Sequence, residues 1–401
     1  MIGYELKKIF ERRLNIIAMI SGYVLLAGCV FSFISGASFY DKETDSYVKG
    51  IEGIRLEQER AKEKEDEISE EYITRIVEEI QDYGMDLESD EAYMEVIRKM
   101  GDIFYFIAKN YTDMRERYAD QNAIMEIDLT GGAQFYKQRM KKITDYLNMD
   151  FSYGNYSEAE KEYWIQKAEN TIVPFAWGDK CIMDMVWNTV GIGFYLWFVI
   201  VICVSSVFAS EHESGAASLL LTTRYGKNRL IWSKIAASVL FTAGYHFMGT
   251  VPAVCVIGVL FGFSGINLPV QVWNSVIPYN LTTGQACFAY LAILLLLGIT
   301  ITLFLLFCSA RIKSSLATLV IGMTVLIGPA FFPMSKSSGL WNHINYLFPV
   351  RAVDLKEILG SYVSYGVGDW VIPYVEMIVL VYTAIGIAAL ISTRKGFVKV
   401  K

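Results

Sequence analysis

Histidine is scarce in this sequence. Three are present in 401 residues, His212, His246 and His343, and they are scattered, with no metal-ligand spacing. A zinc site of the HExxH kind needs two histidines one turn apart on a helix face, and that pattern is absent. Equally missing is a glycine-rich loop ending in Gly-Lys-Ser/Thr, the cradle that backbone amides build for nucleotide phosphates. The sequence therefore predicts no catalytic residue, no metal or cofactor held by this chain, and no ATP hydrolysis of its own. A nucleic-acid partner is not expected either. Cysteine is used sparingly: Cys29, Cys203, Cys255, Cys287 and Cys308 fall inside apolar runs, and Cys181 borders one. No disulfide framework follows from that placement.

Acidic residues are scarce too, except in one block. Residues 38–184 hold 34 of the 42 Asp and Glu, against 19 Lys and Arg, a net charge of −15. The rest of the chain has 8 acids against 17 bases, a net charge of +9. A hydrophobic fraction of 53% then describes a membrane protein with one large water-exposed domain.

A helix needs about 20 apolar residues to cross the hydrocarbon core. Six stretches reach that length, at 14–36, 182–209, 232–262, 284–309, 312–334 and 371–392. Runs such as LAILLLLGITITLFLLF, repeated six times over, exceed what a soluble core holds. The first is too long for a signal peptide, and GASFY is a weak cleavage site. The expected fold is an all-α polytopic membrane protein with six transmembrane helices. Between the spans lie an interfacial helix at 1–13, an outer domain at 37–181, an inner loop at 210–231, outer loops at 263–283 and 335–370, and a tail at 393–401.

Orientation follows from the bases. With the N-terminus inside, the inner face receives Lys7, Lys8, Arg12, Arg13, Arg224, Lys227, Arg229, Lys234, Arg311, Lys313 and the basic tail. Only Glu5, Glu11, Glu211 and Glu213 oppose them. This is the positive-inside pattern, with both termini cytoplasmic and the acidic domain outside. Trp177, Trp187, Trp273, Trp341 and Trp370 fall near predicted outer boundaries and Trp232 near an inner one, as indoles do at membrane interfaces.

The outer domain reads as mainly helical. Tyr93, Ile97, Met100, Phe104, Ile107 and Tyr111 recur at helical steps, and Ile73, Ile76, Val77 and Ile80 give a shorter stripe before them. With the turn-forming GMDLESD between, 55–112 is expected to be a helical hairpin. Tyr136, Met140, Ile143 and Leu147 predict a third helix. Ser157 with Glu160 reads as a capping box opening a fourth at about 158–170. The charge run from Arg60 to Glu71 reads as a solvated helix face, and no stretch has the ligand pattern of a calcium loop. Asn110 and Asn155 head sequons.

The segment SEHESGAASLLLTTRYGKNRLI, between the second and third spans, is the most informative. Acids open it, a Leu-rich patch too short to span follows, and basic residues close it. It reads as a short helix lying at the inner surface and presenting a face. The run Phe208-Ala-Ser-Glu211-His-Glu213-Ser-Gly215, then Leu219-Leu-Leu-Thr-Thr223-Arg-Tyr-Gly226-Lys-Asn-Arg229, then Ser233-Lys234, resembles the signature of ABC-2 type transporter permeases. The resemblance implies a six-span, type V exporter-like core in the cell membrane, the plasma membrane of a bacterium. It implies that this loop is the coupling helix that docks on an ABC ATPase subunit, where the partner binds ATP and Mg2+. Glu211 or Glu213 with Gly215 match the acid–Gly opening, Leu219, Leu220, Thr222 and Thr223 the docking helix, and Arg229 and Lys234 the basic close. The amphipathic stretch 2–13 and short helices near 340–347 and 351–360 resemble the family's interfacial and re-entrant helices. The 147-residue block at 38–184 is the departure from the family's simpler members.

Within the spans, Glu376 is the one acid well inside, near an outer edge, and a carboxylate in lipid is costly. It is a candidate for a pathway or gate, or for an interfacial role. Asn188, Thr300 and Thr302 are further pathway candidates, which helix-to-helix hydrogen bonds explain equally well. Gly191 and Gly193 read as packing positions. The expected protein is thus the permease subunit of an ATP-driven transporter, paired with a second copy or paralogue. Its expected cargo is an amphipathic peptide, a lipid or a related small molecule. A membrane-anchored peptide sensor or scaffold is the alternative, and a proton-coupled carrier relying on Glu376 a third.

Overall fold

The computed structural model describes residues 1–41, 44–61, 67–82, 96, 100–116, 118–120 and 122–399. The chain opens with α1 (Ile2–Glu11), which buries Glu5 and Ile9 on one face. Arg12 turns extended, and α2 (Arg13–Gly36) leaves for the opposite end of the molecule. There it enters a hairpin of β1 (Ser38–Asp41) and β2 (Ser46–Lys49), with Phe39 opposite Val48.

The outer domain follows. It contains α3 (Gly50–Ala61), α4 (Glu70–Asp82), α5 (Asp102–Tyr111), α6 (Phe135–Leu147) and α7 (Glu158–Glu169). The stripes of α4 and α5 meet in one core, where Ile73, Val77, Phe104, Ile107 and Phe135 are sealed from solvent, while Ile143 and Leu147 of α6 pack in a second with Trp164 and Tyr362. The expected capping box is present, with Ser157 accepting from the Glu160 amide and the Glu160 side chain accepting from the Ser157 amide. A single helix carrying the charge run from Arg60 is not what forms. α3 ends at Ala61, and β3 (Glu67–Ile68) pairs with β4 (Phe175–Ala176) before α4 begins. Tyr93, Ile97 and the GMDLESD turn lie outside the described residues, so the hairpin at 55–112 is described only in part. Asn110 is fully buried and donates to the Phe135 carbonyl at 3.0 Å, which closes that sequon in the folded domain.

Two basic side chains are buried in this domain. Arg139 donates to the carbonyls of Ser275 at 2.5 Å and Ala168 at 3.2 Å, tying α6 to a loop after the third span. Lys142 donates to the Lys109 carbonyl, and burial together with nearby Lys109 pulls its ammonium down to about 7.

The remaining chain is the membrane part. The second long helix is segmented: α8 (Cys181–Ile192), a 3-10 turn at Gly193–Tyr195, α9 (Leu196–Val204) and α10 (Ala209–Glu213). Then come α11 (Ala216–Thr222), α12 (Arg229–Phe261) and α13 (Thr283–Ile312). Beyond them lie α14 (Ser315–Ile327), α15 (Gly339–Tyr346), α16 (Leu355–Ile358), the pair β5 (Ser364–Val367) and β6 (Trp370–Pro373), and α17 (Tyr374–Lys399).

Among the described residues, five helices are long and apolar enough to cross a membrane: Arg13–Gly36, Cys181–Glu213, Arg229–Phe261, Thr283–Ile312 and Tyr374–Phe397. The molecule is an all-α polytopic membrane protein apart from three small two-stranded sheets among the described residues. The run at 312–334 corrects the expected count. α13 continues through Ile312, Lys313 takes a left-handed φ of 58°, and α14 has 13 residues before a 3-10 turn at Pro329. The α-helix and its 3-10 turn rise about 27 Å, short of a ~30 Å hydrocarbon core.

The helices pack with α13 at the centre. Thr242 and Thr302 share a hydrogen bond of 2.6 Å between α12 and α13, and Thr300 donates to the Tyr382 carbonyl of α17 at 3.1 Å. Side chains meet in two distinct sets at the two ends. At one end Glu213 accepts from Ser315, Phe208 stacks near Phe397, and α1 lies across α12. At the other, Gln58 of α3 donates to the Phe261 carbonyl at 2.8 Å, Lys356 pairs with Asp184, and Trp187 packs on Trp273.

Candidate functional site

The segment singled out by sequence sits at the first of these ends, and it has two layers. The outer layer is α11. Gly215 takes a φ of +74°, the left-handed region that glycine enters at no steric cost, and this breaks the chain between α10 and α11. Ala217 is buried against the bundle while Leu219 is 72% exposed, and Thr222 and Thr223 stand in solvent. Leu220 is half-buried. Arg229 caps the segment at the start of α12 and stacks over the Tyr225 ring at 4.7 Å.

The inner layer is ionic and buried. Lys234 extends from α12 and reaches Glu211 Oε1 at 2.7 Å and Glu5 Oε2 at 2.8 Å. It also donates to the Val207 carbonyl at 3.2 Å. Its side chain is 2% exposed. Lys8 completes the square, 3.3 Å from Glu5 and 3.5 Å from Glu211. Two carboxylates thus meet two ammonium groups, so the net charge of the set is zero. Pairing of this kind lets ions lie where an isolated one would cost on the order of several kcal/mol. Beside the set is a cavity of about 470 Å3, into which Arg12 and Ser238 also reach. Glu211 Oε2 and Ser238 Oγ are buried there with no hydrogen-bond partner.

The acids of the loop therefore divide. Glu211 belongs to the buried square. Glu213 points the other way, accepting from the Ser315 amide at 2.7 Å and hydroxyl at 2.8 Å, and holds the start of α14. Glu5, 206 positions before Glu211 by their residue numbers, was only an inner-face acid in the sequence. Its place on the buried face of α1, beside Ile9, was the available signal.

The pathway candidates are not brought together. Glu376 is exposed in the first turn of α17, where a carboxylate suits the helix N-terminus, and Asn188 is exposed on α8. Thr300 and Thr302 serve the helix contacts described above. A different polar seam lies between α8 and α12. His246 is 1% exposed with both ring nitrogens unpartnered, and Thr250 one turn on and Thr189 facing them from α8 are unpartnered too. Gly193 makes room: a Cβ there would stand 3.0 Å from His246 and 3.1 Å from Thr250. The apolar run around His246 concealed this seam in the sequence. Among the described residues no group of three His, Cys, Asp or Glu is placed to hold a metal ion.

The fold and the site define a multi-pass membrane protein with a helical domain docked on one end and a buried ion square at the other. Comparison with family models, with curated proteins and with solved structures gives no match for this chain.

Proposed function

We propose that this chain is the membrane subunit of an ATP-driven transporter of the ABC-2 permease kind. It would work as a pair, with ATP and Mg2+ bound by separate ATPase subunits. The observation that carries this reading is the two-layered loop at 205–234. An exposed, short helix with an unpartnered leucine is braced from behind by buried ion pairs to α1 and α12. Such a part transmits force: a push on Leu219 from a partner reaches α12 through Glu211 and Lys234, and α14 through Glu213.

In this reading the short α14 with its 3-10 turn would supply a sixth crossing beside the five long helices, and both termini would lie on the cytoplasmic side. Ser315 meets Glu213 at the basic end, while the Lys336 carbonyl accepts from Ser152 of the outer domain. The chain between them travels the length of the bundle although its helix is short. The basic end would then be inside and the outer domain outside. The cargo leaves by the outer end, and an amphiphile suits a path bordered by lipid.

The test uses the protein extracted from its native membrane in a mild detergent. Co-purified ATPase activity is expected with the wild type. It is expected to fall at least about tenfold in Leu219→Glu, because a carboxylate cannot fill the apolar centre of an interface. Ile172→Glu, at an exposed position of the outer domain, should leave it unchanged. Full ATPase recovery with Leu219→Glu would sink the coupling role and favour an anchored sensor.

A further inference from the structure

A second cavity, of about 350 Å3, lies where the outer domain meets α15. Its walls carry four phenol rings, Tyr146, Tyr153, Tyr156 and Tyr346, and one carboxylate, Glu160. Tyr146 and Tyr156 stand 6.2 Å apart by ring centroids, and Tyr153 is stacked on Phe151 at 5.2 Å. Glu160 is fixed by Ser364, which donates to it at 2.9 Å, and by the Ser157 amide, also at 2.9 Å. No Lys or Arg is among the described residues that line the cavity. His343 contributes a ring whose nitrogens face two backbone carbonyls, at 2.7 and 2.9 Å.

Aromatic faces are negative and attract cations, most strongly those that are weakly hydrated, as alkylammonium groups are. A carboxylate with no Lys or Arg among the described residues of the same cavity adds to that field. The mouth lies beside apolar surface: Leu340, on the cavity wall, is 74% exposed, and Phe331 nearby on the turn after α14 is 79% exposed. Trp341 donates to the Pro333 carbonyl at 3.0 Å on the same turn, an indole placed as at a membrane interface.

We infer that this cavity binds the alkylammonium headgroup of an amphiphile, whose tail lies along Leu340 and Phe331. The inference deepens the amphiphile reading of the proposed cargo. It rests on that reading for its biological meaning, but its binding step needs no ATPase.

The test is a calorimetric titration of the full chain in dodecyl maltoside micelles. The probes share one tail: dodecyltrimethylammonium, dodecylphosphocholine and dodecyl sulfate. Saturable binding of the trimethylammonium probe is expected, with none for the sulfate. Equal binding of the phosphocholine assigns the site to a lipid headgroup, and its rejection assigns it to a cationic amphiphile. Glu160→Gln, which keeps the capping acceptor, and Tyr153→Leu, at a half-buried ring, should each weaken binding roughly five- to tenfold. Sulfate binding as tightly, unchanged affinity in both variants, or displacement by a tailless oligolysine peptide would each overturn the inference. Failure here leaves the Leu219 experiment untouched, so the two readings are separable.

Discussion

Lys142 and Lys234 are both buried lysines, and their surroundings give them opposite consequences. Lys234 has two carboxylates within 2.8 Å. Lys142 has a backbone carbonyl and a neighbouring lysine, and its ammonium is depressed to about 7, mainly by burial. A base whose folded value lies below its unfolded value costs stability while both states are protonated, and the cost disappears as the folded form loses its proton first. The unfolded lysine titrates near 10.4. Stability should therefore rise between about pH 7 and pH 10. Thermal unfolding of the full chain, followed by the outer-domain signal, should show a midpoint that climbs over this window. In Lys142→Met the climb should vanish, and a climb of equal size in that variant would refute the assignment. Nothing near Lys142 in the chain marks it as buried, because its burial comes from α5 packing over α6.

At the level of elements, the ion square is a joint between α1, α10 and α12. Lys234→Met leaves two buried carboxylates with only the half-exposed Lys8 to offset them. Breaking a buried pair in this way costs on the order of 3–5 kcal/mol. The expected result is a large drop in the thermal midpoint and release of α1, read as new protease cleavage near Arg12. Glu5→Gln added to Lys234→Met should restore part of the loss, since it removes one stranded charge. A midpoint within a degree of wild type in the single variant would show that the square bears no load. The helices themselves were largely legible. Periodicity found α4 and α6, and the Ser157–Glu160 box marked the start of α7 to the residue. Hydropathy located the long apolar helices but could not see backbone breaks. Lys313 in a left-handed conformation and Pro329 in a tight turn shorten α14 without changing its apolar composition. The three strand pairs escaped because strands of two to four residues are too short to show alternation. Of the candidate site, Glu211 and Lys234 were named from the loop, yet as a surface for a partner. In the structure they pair with each other, and Lys234 also with Glu5, and such distant pairing leaves no local pattern.

Across the whole molecule, the acidic domain is docked rather than tethered. Arg139, Gln58 and Lys356 each bridge it, or the loops it rests on, to neighbouring parts of the chain. Charge and packing together give a definite orientation to test. On a background with the native cysteines replaced, Tyr118→Cys in the outer domain should react with a membrane-impermeant maleimide in intact cells. Leu219→Cys should react only after permeabilisation. The opposite pattern would invert the molecule, and with it the coupling proposal.

The ion square also has a history in time. Glu5 leaves the ribosome 229 residues ahead of Lys234, its closest counter-ion in the square. Until Lys234 is made, Glu5 has only Lys8, one turn along α1, as a counter-ion in the square. The complete square therefore cannot close before α12 has been made, so the first helix of the chain gains its last ionic contact from one of the later ones.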